Sequence, residues 1–320
     1  MLGIVVLAVA ALLYHLFRPL PVTPVPAVFH EYDLGEGRFV ALEPPSEVFG
    51  VGLSYAKHIE ETASDFDPRS GPPIFRKHPR AVVGSGSIVM LPGAGALASA
   101  VEGLEPGITE KLKAEDLQLS CLLDYEGELG FVLLEDVDPV ELGRQDFVPQ
   151  IGFFIANDLS ARSIAILGEG MANRYDYWGL SKSFPGFMPV GGRAWIPDVP
   201  VANGIPPVII ETKVNGENRQ RQVVTELVYT PRQMLRFIHE TYPDQPLGKG
   251  MMVLTGTPGG VALKSPRWKV RLANAIGMSR FTKLSIKQDG DTTQFLKPGD
   301  EVTVSGGPLG SVTVTIADGD

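Results

Sequence analysis

Cys121-Leu122-Leu123-Asp124-Tyr125-Glu126-Gly127-Glu128-Leu129-Gly130 runs straight into Phe131-Val132-Leu133-Leu134 and sets three acidic residues at alternate positions between apolar flanks. In an extended strand alternate side chains share a face, so Asp124, Glu126 and Glu128 are expected to project together. Three like charges on one face repel unless water or a cation intervenes. The apolar flanks argue against a solvated edge, and a divalent cation resolves the conflict. An exposed acidic face is the alternative. A second segment bears on the choice. Residues 151–155, Ile-Gly-Phe-Phe-Ile, lead into Ala156-Asn157-Asp158-Leu159-Ser160-Ala161-Arg162, so Asp158 stands where the chain leaves an apolar strand, as a ligand or a helix cap. With Glu126 and Glu128 it makes an all-oxygen set suited to Mg²⁺, Mn²⁺ or Ca²⁺.

Working outward, most other apolar runs are four to eight residues long and bounded by Gly, Pro, Asp or Asn, which is strand spacing. They cover 81–83, 88–91, 119–123, 131–134, 207–214, 251–254, 301–304 and 311–316. Residues 36–42 read as a first hairpin arm, 53–63 as a short helix and 65–80 as a loop. The better helix candidates are 108–114 and 231–241, the latter with Pro at its first turn. The expected architecture is mainly β with some α, without the βαβα rhythm of a doubly wound sheet. A net charge of -9 over 320 residues makes a poor overall match for nucleic acid or anionic lipid. The single cysteine, Cys121, excludes an intrachain disulfide and a Cys-based metal site.

Residues 1–17 carry no charged side chain, and Arg18 and Pro19 close the run. As a helix it would span about 25 Å against the roughly 30 Å of a bilayer core, and it lacks the basic start of a signal peptide. Residues 1–18 are expected to be an N-terminal membrane anchor, with a signal-like segment or a buried apolar element as alternatives. Arg18 on the C-terminal flank favours a cytoplasmic main body; a wholly cytoplasmic or an exported protein is the alternative. Residues 19–30 form a Pro-rich linker. Residues 31–320 are expected to form the main domain, with 31–80 as an N-terminal subregion and 81–320 as the core that carries the candidate metal carboxylates.

Six strings occur in one order: Gly52-Leu-Ser-Tyr55-Ala-Lys-His58-Ile-Glu-Glu61, Asp124-Tyr-Glu126-Gly-Glu128-Leu-Gly130, Ala156-Asn157-Asp158-Leu-Ser160-Ala-Arg162, Lys182-Ser183-Phe184, Val214-Asn215-Gly216-Glu217 and Thr255-Gly-Thr257-Pro-Gly-Gly-Val261. In this the chain resembles the fumarylacetoacetate hydrolase family from about residue 52 to its end. The resemblance implies a mixed β-sandwich or β-roll fold, usually a homodimer, with Mg²⁺ or Mn²⁺ held by three carboxylates. Carried over by motif, these are Glu126, Glu128 and Asp158, with Asp124 as a neighbour. The family's substrates are small oxo acids, and its C–C hydrolases, decarboxylases and isomerases share an enolate.

Lys182 resembles the family's active-site lysine, which stabilises developing charge or donates a proton. His58 and Glu61 lie one helical turn apart and match a lid dyad that activates water. Thr257, in a Gly-rich turn, is expected to contact a substrate carboxylate; Arg162 and Tyr175 are the other expected substrate contacts. Ser163 replaces the Asp that many members carry. Residues 164–177, with Arg174, Tyr175 and Tyr177, also diverge where the family shapes its pocket. Residues 262–296 form an insert relative to compact members. The leading expectation is a divalent-metal hydrolase cleaving a C–C bond in an acylpyruvate-like or fumarylacetoacetate-like acid. An oxaloacetate-type decarboxylase or isomerase with the same site comes second, and a non-catalytic membrane-tethered binding protein third.

Overall fold

The computed structural model describes residues 9–11, 13–14, 34–55, 71–198, 204–264 and 267–319. Nine strands form a mixed sheet whose main path runs Gly37–Ala41, Arg193–Pro197, Ile151–Asn157, Gly127–Leu133, Met252–Leu254, Val48–Val51 and Ile74–Lys77, with Met188–Val190 and Val82–Gly84 attached beside it. Five more form a second sheet in the order Glu217–Val223, Ile209–Val214, Glu301–Ser305, Ser311–Asp318 and Ile88–Leu91. Leu129, Phe131, Phe153 and Ile155 of the first sheet share one core with Ile210, Val304 and Val312 of the second. The architecture is mainly β with some α, as the spacing of apolar runs predicts.

The central strand Gly127–Leu133 is buried along its whole length, which explains its nearly continuous apolar run. Leu129, Phe131 and Leu133 enter the core between the sheets, while Val132 packs with Val48, Phe154 and Met252 on the opposite face. Gly130 belongs to that second face, where a Cβ would collide with the Phe154 ring. In the second sheet, Asn215 (φ 51°) and Gly216 (φ 80°) close the hairpin between Ile209–Val214 and Glu217–Val223. Two successive positive φ values are what a two-residue hairpin turn requires, and Asn-Gly supplies them at least cost.

Several expectations need correction. Gly37–Ala41 is a strand but not a hairpin arm: it pairs antiparallel with Arg193–Pro197, far along the chain. Within the expected loop 65–80, Ile74–Lys77 is a buried strand paired with Val48–Val51. Of the expected strand 119–123, only Leu123 belongs to one, the two-residue Leu123–Asp124. The acidic stretch is therefore interrupted, since the next strand begins at Gly127. Helices Ile108–Ala114 and Pro231–Thr241 form where expected, the second with a Thr230/Gln233 capping box. Helices Ala94–Leu104, Arg162–Leu167, Arg174–Ser181, Arg267–Ala275 and Arg280–Gln288 were not expected. The short, mixed-polarity ones carry little periodicity and fold because the sheet beneath supplies their packing.

The expected helix 53–63 falls largely outside the described residues; Tyr55 makes an isolated bridge with Leu227 instead. The expected anchor and linker also lie mostly outside them. Among the described residues no helix is long and apolar enough to cross a membrane.

Candidate metal and oxo-acid site

Antiparallel pairing of two central strands builds the site. Gly127 lies opposite Asn157 and Glu128 opposite Ala156. Beyond the last pair, Asp158 N–H donates to the Glu126 carbonyl at 2.8 Å. The two strand ends thus bring together residues 32 positions apart. One carboxylate oxygen each from Glu126, Glu128 and Asp158 lies within 4.8 Å of the others, and all three side chains are buried.

Their surroundings are strongly cationic. Lys182, at the C-terminus of helix Arg174–Ser181, donates to Glu126 Oε2 at 2.5 Å, Asp158 Oδ2 at 2.6 Å and Ser160 Oγ at 2.8 Å. Its Nζ also lies 5.3 Å from the centre of the Phe75 ring. Lys77 donates to Asp158 Oδ1, and to the Phe187 carbonyl at 3.2 Å. Arg162 bridges Asp124, at 2.7 Å, and Glu126. Glu128 differs: it accepts the Gly256 N–H at 2.8 Å and has no ion-pair partner among the described residues. Burial first, then the charges of Asp158 and Glu126, push its carboxyl well above the usual carboxylate range.

The two lysines shift in opposite directions. Burial pulls Lys182 down, but Asp158 and Glu126 outweigh it and the net shift is upward. For Lys77 burial outweighs Asp158, and neighbouring Lys182 adds to the lowering. Arg162 is partly buried, and there too Glu126 and Asp124 outweigh the desolvation and carry it upward. The donor set fits a hard divalent cation: three converging carboxylates, one without a cationic partner, in surroundings that disfavour a bare anion.

Asp124 is not part of that cluster. Its oxygens accept from Ala262 N–H (2.7 Å) and Leu263 N–H (3.0 Å) besides Arg162. The common acidic face expected from alternation does not form, because the strand breaks at Tyr125–Glu126 and turns Asp124 away. The Thr257 hydroxyl donates to the Gly127 carbonyl at 3.1 Å and accepts from Gln220 Nε2 at 2.9 Å, so it braces the strand carrying the carboxylates. Gln220 in turn accepts the Gly127 N–H at 3.0 Å. Tyr175 stacks edge-on against Trp178, which packs against Phe75, so a chain of aromatic rings links it to Lys182. Ser163 is buried and donates to the Cys121 carbonyl at 3.4 Å. His58 and Glu61 lie outside the described residues.

Two residues at the centre were missed in the sequence. Lys77 was hidden because Pro72 and Pro73 made its surroundings read as loop; the apolar pair Ile74-Phe75 was the available signal. Gln220 lies on an otherwise polar strand and carries no motif.

Comparison with known proteins adds four results. The fumarylacetoacetate (FAA) hydrolase C-terminal family matches residues 47–317. Oxaloacetate tautomerase YisK of Bacillus subtilis is 23% identical over 288 residues, covering 88% of this chain and 74% of its own. Among solved structures, 5-carboxymethyl-2-hydroxymuconate delta-isomerase from Mycobacterium smegmatis aligns with a TM-score of 0.53 at 25% identity, covering 88% of this chain and 82% of that one. Fumarylpyruvate hydrolase from Pseudomonas aeruginosa, in complex with Mn²⁺ and pyruvate, aligns with a TM-score of 0.53 over 95% of this chain and 99% of that one. At 20% identity that likeness is one of fold.

Proposed function

The chain belongs to the fumarylacetoacetate hydrolase family, and from that premise we propose a divalent-metal enzyme that acts on a small 2-oxo acid through its enolate, hydrolysing a C–C bond of an acylpyruvate-like acid. The observation that carries this reading is the buried cluster of Glu126, Glu128 and Asp158 with Lys182 bonded across it. These three carboxylates would hold the metal, Mg²⁺ or Mn²⁺ by donor chemistry. When bound, such an ion polarises the keto group and lowers the cost of developing negative charge beside it.

The chain's own residues do the rest. Lys182 Nζ holds protons beside the reacting carbonyl and returns one to the carbon released by cleavage. Arg162 orients Glu126 through its bridge to Asp124, a role its contacts support better than direct substrate binding. Thr257 and Gln220 fix the strand end, and Gly256 N–H fixes Glu128. Phe75 and Trp178 form an aromatic wall that excludes water from the lysine side, with Tyr175 extending it toward substrate. His58, with its basicity raised by Glu61, takes a proton from water at its imidazole. A homodimer, and an apolar tether at residues 1–18, complete the reading.

A second reading rests on the named relatives: enol–keto tautomerisation, isomerisation or decarboxylation of an oxaloacetate-type acid, which needs the same cluster but no activated water. A product assay over acylpyruvates and oxaloacetate, with Mg²⁺ or Mn²⁺ and with EDTA, separates the two. Hydrolysis predicts pyruvate plus a second carboxylic acid, loss of turnover in EDTA, and a loss of about a hundredfold or more in His58→Ala. Interconversion without cleavage and an unaffected His58→Ala would establish the second reading. No turnover on any 2-oxo acid, with or without metal, would end both.

A further inference from the structure

We infer that the insert hairpin, helices Arg267–Ala275 and Arg280–Gln288, is a docking surface for an anionic lipid bilayer. The stretch 264–288 contains seven Lys and Arg and no Asp or Glu, within a chain of net charge -9. The whole-chain charge conceals a segment of the opposite sign.

The hairpin's orientation is set from inside. Arg280 pairs with Glu105 at 2.6 Å and donates to the Leu167 carbonyl at 3.0 Å, Lys283 pairs with Glu169 at 3.0 Å, and Leu284 is buried. Helix Arg280–Gln288 thereby packs against helix Arg162–Leu167. With that face engaged, the first helix is inverted relative to an ordinary surface helix. Arg271 turns inward and is 1% exposed, whereas Trp268 (41%), Leu272 (38%) and Ile276 (65%) face solvent. These three are spaced four residues apart and so form one stripe. Ile286 (55%) on the second helix joins the exposed apolar side chains. An ordinary amphipathic helix does the reverse, hiding its apolar face. Lys264, just before the first helix, and Lys269 on it are exposed without an ion-pair partner among the described residues, and Lys269 lies 5.6 Å from the Trp268 ring centre. The acidic groups packed against the hairpin, Glu105 and Glu169, are already paired to Arg280 and Lys283. Asp289 lies beyond its end.

Charge selects the occupant. A second copy meeting this face symmetrically would set basic residues against basic residues. A nucleic acid would use the lysines but not Trp, Leu and Ile. An anionic bilayer uses both, with lysines at the headgroups and the apolar stripe at the acyl boundary.

The test is flotation of the full-length protein with vesicles of phosphatidylcholine alone or mixed with phosphatidylglycerol, at low and high salt. The wild type should prefer the mixed vesicles, and salt should weaken the preference. Lys264→Glu with Lys269→Glu should lower that binding at least about 25-fold, at about fivefold for each lysine removed. Trp268→Ser with Leu272→Ser and Ile276→Ser should lower it about tenfold or more. All these side chains are exposed, so unfolding midpoints should be unchanged. Equal binding to neutral and mixed vesicles, or variants that bind like the wild type, would overturn the inference and leave the apolar residues 1–17 as the membrane contact. Variants that change the sedimentation of the protein without vesicles would overturn it in favour of an interface between copies. Loss of RNA or DNA binding in the lysine variant, without vesicle binding in the wild type, would overturn it in favour of nucleic acid.

Discussion

Replacing Glu128 by Gln separates the cost of assembling the carboxylate cluster from its use. The amide keeps the shape and an oxygen to accept the Gly256 N–H, but it cannot ionise. One oxygen of Glu128 lies within 4.8 Å of one from Glu126 and one from Asp158. Two unit charges at that separation repel by about 3.5 kcal/mol at an effective dielectric of about 20. Glu128 meets two such neighbours, and Lys182 offsets only part. Its folded pKa therefore lies well above the ordinary 4.5. Between those two values the folded chain binds one proton more than the unfolded chain, so stability falls as pH rises, by up to about 1.4 kcal/mol per unit. The contribution is complete below 4.5 and is lost as pH passes through the folded pKa. In EDTA the wild type should lose stability relative to Glu128→Gln as pH rises from 5, by at most about 1.4 kcal/mol per pH unit, or roughly 3 °C in Tm per unit at roughly 2 °C per kcal/mol. With Mn²⁺ the order should reverse. The wild type should gain more stability at pH 8 than at pH 6, because binding needs the deprotonated carboxylate. The variant should lose affinity by more than the about 10- to 100-fold that removal of an outer partner costs. Calorimetric unfolding at several pH values, with EDTA and with Mn²⁺, reads all of this. Parallel stability–pH curves for the two proteins in EDTA would refute the reasoning.

Lys182→Met should reduce turnover about a hundredfold or more while Mn²⁺ binds at least as tightly, since the ammonium no longer competes for Glu126 and Asp158. Weaker Mn²⁺ binding in a titration would show that the lysine supports the cluster rather than the reaction. Gly256→Ala places a Cβ against Ser54 Oγ and 2.7 Å from the Val51 carbonyl, at a φ of +94°. It should cost about 2 kcal/mol or more in urea unfolding and also weaken metal binding through the amide that holds Glu128. Wild-type stability in that variant would contradict the packing described for the turn.

The sequence was most informative where chemistry and local structure coincide. Glu126, Glu128 and Asp158 were marked by type and by the strands around them, and their convergence follows from antiparallel register. Asp124 shows the limit of that reasoning. Alternation assumes an unbroken strand, and the break at Tyr125–Glu126 is held by the Glu126 N–H donating to Asn157 Oδ1 and by the Ala262 and Leu263 N–H groups donating to Asp124, which no local pattern encodes. Lys77 shows the other limit: an ordinary lysine among prolines and charges becomes buried only because its strand pairs with Val48–Val51.

By itself the sequence determined the mainly β character, the family, the chemical type of the site and the sign of its charges, since periodicity and ligand chemistry are local properties. Tertiary structure alone decided how the strand break turns Asp124 away, which cations neutralise the three carboxylates, and which face of the basic insert is turned to solvent. Those depend on pairing between distant strands and on salt bridges such as Arg280–Glu105, whose partners lie far apart in the chain. The free energy of a buried charge is set by what surrounds it in space, and sequence neighbours are only a small part of that surrounding.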